Sequence, residues 1–425
     1  MKDGQVKVIK TPVKGMCDIL PGDMRLRQQV LAMIRRSYAS YGFTEVETPA
    51  MEHIENLTSR QGGDNEKLIF KVLKRGRELE KALAEGQGDL CDSGLRYDLT
   101  VPLARLYSNA REQLPSPFKA LQIGSVWRAD NPQKGRFRQF TQCDIDILGD
   151  STDLCEIELI TATASMLTEI FALIGVTDFT VHVNDRRILT GAALQAGFRE
   201  EDVPAVLISL DKYDKIGLDG IREELCAQGF DPAAADRYLA YYASPEEKDC
   251  AAFCGRIDEK YLPASVGENL REIISCAGNM LSKGVGIVFD PTLVRGMGYY
   301  TGPIFEVTID GYGFSIAGGG RYDRMIGRFS GQETPACGFS IGFERIITIL
   351  RDHLEGGVRL PEGSAALLVD RRAGAEKKAE AFAKAAAMRR EGKTVTVQPM
   401  QKNIGAQLSR LEAEGYTEFI RIYGD

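Results

Sequence analysis

The segment RQFTQCDIDIL, residues 138–148, alternates in character with period two. As a strand it sets Phe140, Gln142, Asp144 and Asp146 on one face and Thr141, Cys143, Ile145 and Ile147 on the other. The second face is core-like. The first carries an amide and two carboxylates in a row. It is either a solvated sheet surface or a floor that binds a cation such as an ammonium group. Just upstream, an apolar strand ends in Val126-Trp127-Arg128, and the polar loop ADNPQKGRF with its flank adds Lys134, Arg136 and Arg138. Four cations around one hairpin favour an anionic ligand, and the arginine fork suits phosphate. Surface charge accounts well for Lys134. It accounts poorly for Arg128, which closes an otherwise apolar strand.

Three further clusters stand out. In LVRGMGYYTGPIFE, residues 293–306, Arg295 lies between apolar residues and glycines, and Gly296 and Gly298 leave room for a ligand to approach the backbone. Tyr299 and Tyr300 follow; alone, such residues are ordinary packing. In AGGGRYD, residues 317–323, three consecutive glycines mark either a close backbone–ligand contact or a tight turn. No GxxxxGK[ST] phosphate loop occurs, and the segment is no dinucleotide fingerprint. In ACGFSIGFERI, residues 336–346, a glycine-punctuated apolar strand enters a helix with Arg345 near its start. A surface salt bridge is the plainer reading of that arginine.

Periodicity supplies the elements that must hold these residues. Leu26, Val30, Met33, Ile34, Tyr38 and Tyr41 are spaced for a helix, with Asp23 as N-cap and Gly42 as stop. FTEVETP then reads as a short strand ending at Pro49. Residues 71–94 are charged and glycine-punctuated, predicting a surface hairpin or loop. Strands are expected over 118–128 and 138–148, a long helix over 153–174 closed by Gly175, and a strand over 179–184. Residues 186–282 are helix-rich and acidic, which reads as an inserted helical subdomain. HLEGGVRLPEG is a linker. After it, AALLVD, 375–390, TVTVQP, 404–414 and EFIRIY give a βαβαβ order and hence a small parallel-sheet domain.

The 425 residues are 44% hydrophobic and 27% charged, an ordinary globular composition. No apolar run approaches about 20 residues, which argues against a membrane span. The N-terminus lacks the apolar core of a secretory signal. Nine cysteines form no CxxC pair, a pattern of reduced thiols in a cytosolic protein. The three histidines, His53, His182 and His353, do not cluster with them, which argues against a zinc site. Net charge is −7 overall, yet residues 364–425 carry +3. A basic tail on an acidic body fits either local RNA contact or a solvated helical surface.

Taken in order, these motifs resemble those of class II aminoacyl-tRNA synthetases, and specifically the histidyl-tRNA synthetase family. The helix and strand ending in ETPAME are similar to the dimer-forming first class motif, VWRADNPQKGRFRQFTQCDID to the second, and GFSIGFERI to the third. LVRGMGYYTG and AGGGRYD resemble the two histidine-specific motifs. LRYDLTVPLAR, residues 95–105, resembles the amino-acid-binding loop, and GMCDILP the opening motif. The resemblance implies an α+β fold: an antiparallel sheet with flanking helices, a helical insertion and a small C-terminal α/β domain. The expected division is 1–185 and 283–355 for a catalytic domain, 186–282 for the insertion, and 364–425 for a shortened anticodon-binding-like domain.

The resemblance further implies ATP-dependent activation of histidine and its transfer to tRNA-His by a cytoplasmic homodimer that needs no membrane. The alternative within the same fold is a histidine-binding regulator of ATP phosphoribosyltransferase, without ligase activity. By resemblance Arg128 and Arg295 are catalytic at the α-phosphate. Arg128, Asp130, Arg136 and Arg345 bind ATP, with Mg²⁺ bridging the outer phosphates and no metal held by the protein alone. Asp98, Thr100, Gln142, Asp146, Tyr299, Tyr300 and Tyr322 bind histidine. Asn131 and Gln133 lie where some members contact the extra 5′ nucleotide of tRNA-His. The sequence departs from the family pattern in three places. It ends at Tyr423-Gly424-Asp425 where the family continues, Gly298 stands where many members carry an acid, and Cys17 replaces a polar or basic residue.

Overall fold

A computed structural model describes residues 9–58, 68–86, 89–132, 136–243, 248–295, 298–354 and 363–424. Helix α1 (Pro21–Ser40) leads to the short strands β1 (Thr44–Glu45) and β2 (Met51–His53). Then come α2 (Ile54–Leu57), β3 (Lys71–Leu73), α3 (Gly76–Glu85), β4 (Cys91–Leu95) and α4 (Thr100–Ala110). The long hairpin β5 (Phe118–Trp127) and β6 (Gln139–Leu148) is followed by α5 (Leu154–Phe171) and β7 (Phe179–Asp185). Helices α6 (Arg186–Ala196), α7 (Val203–Leu210), α8 (Tyr213–Ala227), α9 (Pro232–Leu239), α10 (Cys250–Gly255) and α11 (Ala264–Gly278) come next. The chain returns through β8 (Val285–Phe289), β9 (Pro303–Thr308), β10 (Ala317–Arg321), α12 (Arg324–Ser330), β11 (Ala336–Gly342) and α13 (Phe343–His353). Last are β12 (Ala365–Val369), α14 (Ala375–Arg390), β13 (Val395–Pro399), α15 (Ile404–Glu414) and β14 (Glu418–Ile422).

Two compact units result: residues up to 18 with 30–350, and 19–29 with 351 onward. The first is built on an eight-stranded sheet of order β1-β5-β6-β11-β10-β9-β7-β8. Its interior pairs are antiparallel, and only the two outermost pairings, β1 with β5 and β7 with β8, are parallel. Alternation splits each central strand between two faces. Ile145, Phe339 and Phe305 are fully buried on one face, and the rings of Phe305 and Phe339 stack at 5.3 Å. Helix α5 packs on β6 and β11, burying Leu159, Ile160, Met166, Leu167 and Ile170. Each such side chain contributes about 1.5–3 kcal/mol by leaving water. That dense layer is the rigid backing for the opposite face, where the functional groups lie.

The six helices between β7 and β8 close on an aromatic core of their own. Tyr242 meets Phe253 at 5.8 Å, and Phe253 meets Phe289 of β8 at 5.7 Å. Asp185, Asp231 and Asp249 cap α6, α9 and α10 with their side chains, meeting backbone N–H groups that a helix start leaves open. In the second unit, β13-β12-β14 is a parallel sheet. Ala365, Leu367 and Val369 pack with Ala381 and Ala385 of α14, while Ala366 and Leu368 pack with Leu411 of α15. A parallel strand covered on both faces reads as an unbroken apolar run, as AALLV does.

Several expectations need correction. Asp23 lies in the first turn of α1 rather than at its cap. The strand expected in FTEVETP shrinks to Thr44–Glu45. Residues 71–94 hold β3 and part of β4, paired antiparallel as in a hairpin, but the ten-residue helix α3 lies between them where a loop was expected. The glycines of AGGGRYD form strand β10, not a turn. One helix passes a length-and-composition test for a membrane span, although Glu156, Glu158 and Glu169 interrupt it and no unbroken apolar run of that length occurs. Leu154–Ile174 spans 21 residues at mean hydropathy 1.6 and is long and apolar enough to cross a membrane. Half of it is buried inside the protein, and it carries Glu156, so it is a core helix here. The linker reading at 353–363 falls mostly outside the described residues.

Glu156 is buried and receives a bidentate pair from Arg321, Nε at 2.6 Å and Nη2 at 2.8 Å. Removing one partner of a buried pair leaves the other charge stranded. Glu156→Ala is expected to lower unfolding free energy by about 3 kcal/mol, read from the shift of the urea midpoint.

Candidate active site

On the sheet face away from α5, β6, β11 and β10 form the floor of a cavity of about 390 Å³. The register sets Gln142 opposite Gly342, Asp144 opposite Ser340 and Asp146 opposite Gly338, with Ser340 opposite Gly318 on the next strand. Polar side chains on β6 thus face strands with almost none. The gap is obligatory. A Cβ on Gly338 would collide with the Asp146 carboxylate, and one on Gly318 would lie 2.6 Å from Arg295 Cζ. Close approach of a charged group thus accounts for Gly318 and Gly338, whereas a Cβ on Gly319 would collide with the Gly338 carbonyl and one on Gly320 with the Pro303 carbonyl.

One end of the cavity is acidic. Asp98, just before α4, is buried and its Oδ1 accepts from the Val101 N–H at 3.1 Å. Burial pushes its carboxyl above the usual range. Asp146 accepts from the Tyr322 hydroxyl at 2.5 Å, yet burial, with the charge of Asp98 adding to it, pushes it up to about 7. Asp144 is raised well above normal by burial and then by Asp146. Gln142 Nε2 donates to Ser340 Oγ at 2.8 Å. Tyr299 stacks edge-on to Tyr322 at 6.0 Å and tilts against Tyr300 at 4.7 Å. Thr100 opens α4 beside them.

The other end is cationic. Arg128 donates from Nε to the Tyr97 carbonyl at 2.9 Å and lies 5.2 Å from the Phe140 ring centroid. Arg136 is paired with Asp130 at 2.8 Å. Arg345 donates to the Ser315 carbonyl at 2.5 Å and stacks over Phe314 at 5.4 Å. Burial lowers its pKa first, with Arg295, Arg136 and Arg128 acting in the same direction and Glu306 opposing them. Arg295 is ion-paired with Glu306 of β9.

Buried polar atoms nearly always find a partner. Among the described residues, the buried side-chain atoms without one are Asp98 Oδ2, Gln142 Oε1, Asp144 Oδ1, Asp146 Oδ2 and Arg295 Nε. All five belong to residues that line this cavity. Four are acceptors and one is a donor. The ligand that would complete them carries several N–H donors, a cationic group at one end, and an anionic oxygen for Arg295.

All twelve residues singled out from the sequence line this cavity: Asp98, Thr100, Arg128, Asp130, Arg136, Gln142, Asp146, Arg295, Tyr299, Tyr300, Tyr322 and Arg345. Lys134, Gln133 and Gly296 lie outside the described residues. Arg138 is not part of the cavity. It clasps the Asp130 carbonyl at 3.0 Å and the Gly15 carbonyl through its N–H at 2.8 Å, tying the opening motif to the hairpin. Asp144, Ser315, Ser340 and Glu344 line the cavity too, though sequence reasoning did not select them. Alternation had already placed Asp144 on the polar face, whereas Ser315 carries no local signal. A Cβ on Gly298 would meet no atom of the described residues within 4 Å, so space for an acidic side chain exists there. Cys17 is exposed.

Comparison with known proteins bears on this arrangement. The family described as histidyl-tRNA synthetase matches residues 15–346. A histidine--tRNA ligase from Leifsonia xyli subsp. xyli (strain CTCB07) is 44% identical over 429 residues, covering 98% of this chain and 96% of that protein. A solved histidyl-tRNA synthetase from Nostoc sp. PCC 7120 is 27% identical, with TM-score 0.75 over 96% of this chain and 90% of that one. An ATP phosphoribosyltransferase regulatory subunit/histidyl-tRNA synthetase from Bacillus halodurans C shares the fold at TM-score 0.76 and 21% identity, over 99% of this chain and 100% of that one. With the family match running through both halves of the interrupted sheet and a close relative aligned almost end to end, the chain belongs to the histidyl-tRNA synthetase family.

Proposed function

We propose that this chain is a histidine–tRNA ligase, which activates histidine with ATP and passes the histidyl group to the 3′ end of tRNA-His. The observation that carries this reading is the set of orphaned buried atoms within one cavity. Acceptors on Asp98, Gln142, Asp144 and Asp146 and the Nε donor of Arg295 line the same space as Arg128, Arg136 and Arg345, as a ligand with both ammonium and anionic groups requires. In the first step the histidine carboxylate attacks the α-phosphorus of ATP, the bond from that phosphorus to the α,β-bridging oxygen breaks, and pyrophosphate leaves. Both reactants are anionic, so positioning and charge neutralisation dominate the barrier.

In this reading Arg128 grips the carboxylate and the α-phosphate, and Arg295 stabilises charge on the α-phosphate in the transition state. Arg136, oriented by Asp130, and Arg345 hold the outer phosphates, with Arg345 also covering the adenine. Mg²⁺ enters as part of the MgATP substrate, liganded by the β- and γ-phosphate oxygens. Asp98, Thr100, Gln142 and Asp146 receive the ammonium, and Tyr299, Tyr300 and Tyr322 frame the imidazole. A polar pocket of this kind leaves groups unpaired when a wrong side chain enters, which can discriminate by about 10⁴ or more.

We place the catalytic domain in 1–185 and 283–355, an inserted subdomain in 186–282, and a basic anticodon-binding domain in 364–425. A cytoplasmic homodimer built through α1 and the edge strand β1 is part of the same proposal, and light scattering on the purified protein tests it. A histidine-binding regulator without ligase activity is the weaker alternative. The full arginine set lines the cavity, and the 44% identical relative named as a ligase aligns through the C-terminal unit.

Histidine-dependent ATP–pyrophosphate exchange tests the reading. Exchange is expected with histidine alone among amino acids, falling by about 10²–10³ in Arg295→Ala. A folded, histidine-binding protein without exchange would overturn the ligase assignment in favour of the regulator.

The raised carboxyl of Asp146 gives a second expectation. Below about pH 7 it is protonated in the free protein and offers no negative charge to an ammonium. Affinity for histidine should therefore rise between about pH 6 and 8, and binding near pH 6.5 should release a proton from this group. Calorimetry in buffers of different ionisation enthalpy measures the release. Asp146→Asn should weaken binding and remove that part of the proton release, leaving the contribution of the ligand's own imidazole.

A further inference from the structure

Arg295 lies in a loop between β8 and β9, outside any helix or strand, yet its guanidinium is held against the sheet. Its path is set by two residues on adjacent strands. Gly318 of β10 and Glu306 of β9 are direct cross-strand partners. A side chain at 318 would meet Arg295 Cζ at 2.6 Å and Nη2 at 2.8 Å, so the guanidinium rests on bare backbone there. Having crossed that strand, Nη1 reaches the Glu306 carboxylate and forms an ion pair. The pair is partly buried, at 22% and 26% side-chain exposure, so solvent screens it less than a surface pair. Arg295 Nε is left buried and without a partner, available to a ligand. Asp211, which follows α7, also senses this group. Burial raises its carboxyl first, Glu306 raises it further, and Arg295 opposes both.

We propose that Glu306 is a positioning residue for the activation step, fixing Arg295 across Gly318 so that the arginine meets the α-phosphate in its transition-state geometry. This rests on the ligase reading above. Glu306 is not among the residues lining the cavity; its ion pair is with Arg295, and its charge also bears on Arg345. An arginine on a loop has many rotamers. One carboxylate on a rigid strand, paired with a glycine trough, selects one of them before substrate arrives. A displacement of about 1 Å at such a group is enough to cost about 10²-fold in rate.

The test is a double-mutant cycle in pyrophosphate exchange on the full-length protein, with histidine binding measured separately by calorimetry. Glu306→Gln is expected to lower kcat by about 10- to 100-fold. The KM for histidine should stay within about twofold, because the acidic end of the cavity is untouched. Glu306→Asp should recover part of the loss, since the charge returns on a shorter arm. Arg295→Ala/Glu306→Gln should be no slower than Arg295→Ala alone, as expected of a residue that works only through another. An unchanged kcat in Glu306→Gln, or additive losses in the double variant, would overturn the proposal. So would a kcat loss matched by lost histidine binding and a lowered melting temperature. Absence of exchange in the unmodified protein would instead count against the ligase reading itself.

Discussion

Asp98, Asp144 and Asp146 are buried together, and among the described residues no ion pair reaches any of them. A buried carboxylate without an ion pair is costly in a low-dielectric interior; burial raises the pKa of all three, Asp98 adds to the rise of Asp144 and Asp146, and Asp146 to that of Asp144. Much of the surrounding architecture follows from that constraint. The far side of the sheet is filled by α5 and a dense apolar layer, which keeps the carboxylates from relaxing outward. By contrast, the buried carboxylate of Glu156 is satisfied internally, by Arg321, at the back of the sheet. The protein thus separates two kinds of buried charge: one matched by the chain itself, one left for the ligand to match.

The cationic end follows the opposite rule. Its arginines are each anchored by a single strong contact: Tyr97 carbonyl for Arg128, Asp130 for Arg136, Glu306 for Arg295, Ser315 carbonyl for Arg345. A guanidinium has five N–H donors, so one anchor fixes its direction while leaving donors for phosphate oxygens. Lysines at these positions would supply charge without that division of labour. The repulsion visible in the lowered pKa of Arg345 indicates that the cations are close enough to act on one polyanion together.

Much of this was readable from residue order. The β5–β6 hairpin and the face carrying Gln142, Asp144 and Asp146 follow from periodicity, because each strand has one apolar and one polar side, and the bounds of α14 and α15 were also read correctly. Arg128 stood out because it ends an apolar strand, and it lines the cavity. What stayed hidden depended on tertiary partners. The glycines of β10 have low strand propensity, and pairing with β9 and β11 overrides it. Helix α3 was masked by charge and flanking glycines. Glu306 carried no signal of its own in the sequence, and only the register opposite Gly318 brings it to Arg295. Ser315 contributes a backbone carbonyl, which no side-chain pattern can announce.

The parallel pairing of β7 with β8 carries a consequence for how this enzyme can be re-engineered. Phe179 lies opposite Val285, so the exit of β7 at Asp185 and the entry of β8 are offset by about six residues, roughly 20 Å at strand spacing. Parallel neighbours cannot be joined by a tight hairpin; they need a crossover over the sheet. The helices between them are therefore the closure of the sheet edge as well as a module placed upon it. A minimal version of the enzyme must keep a crossover long enough to span that offset. Exchange of this module between homologues is feasible at the two strand ends, where incoming and outgoing chains are already fixed in register.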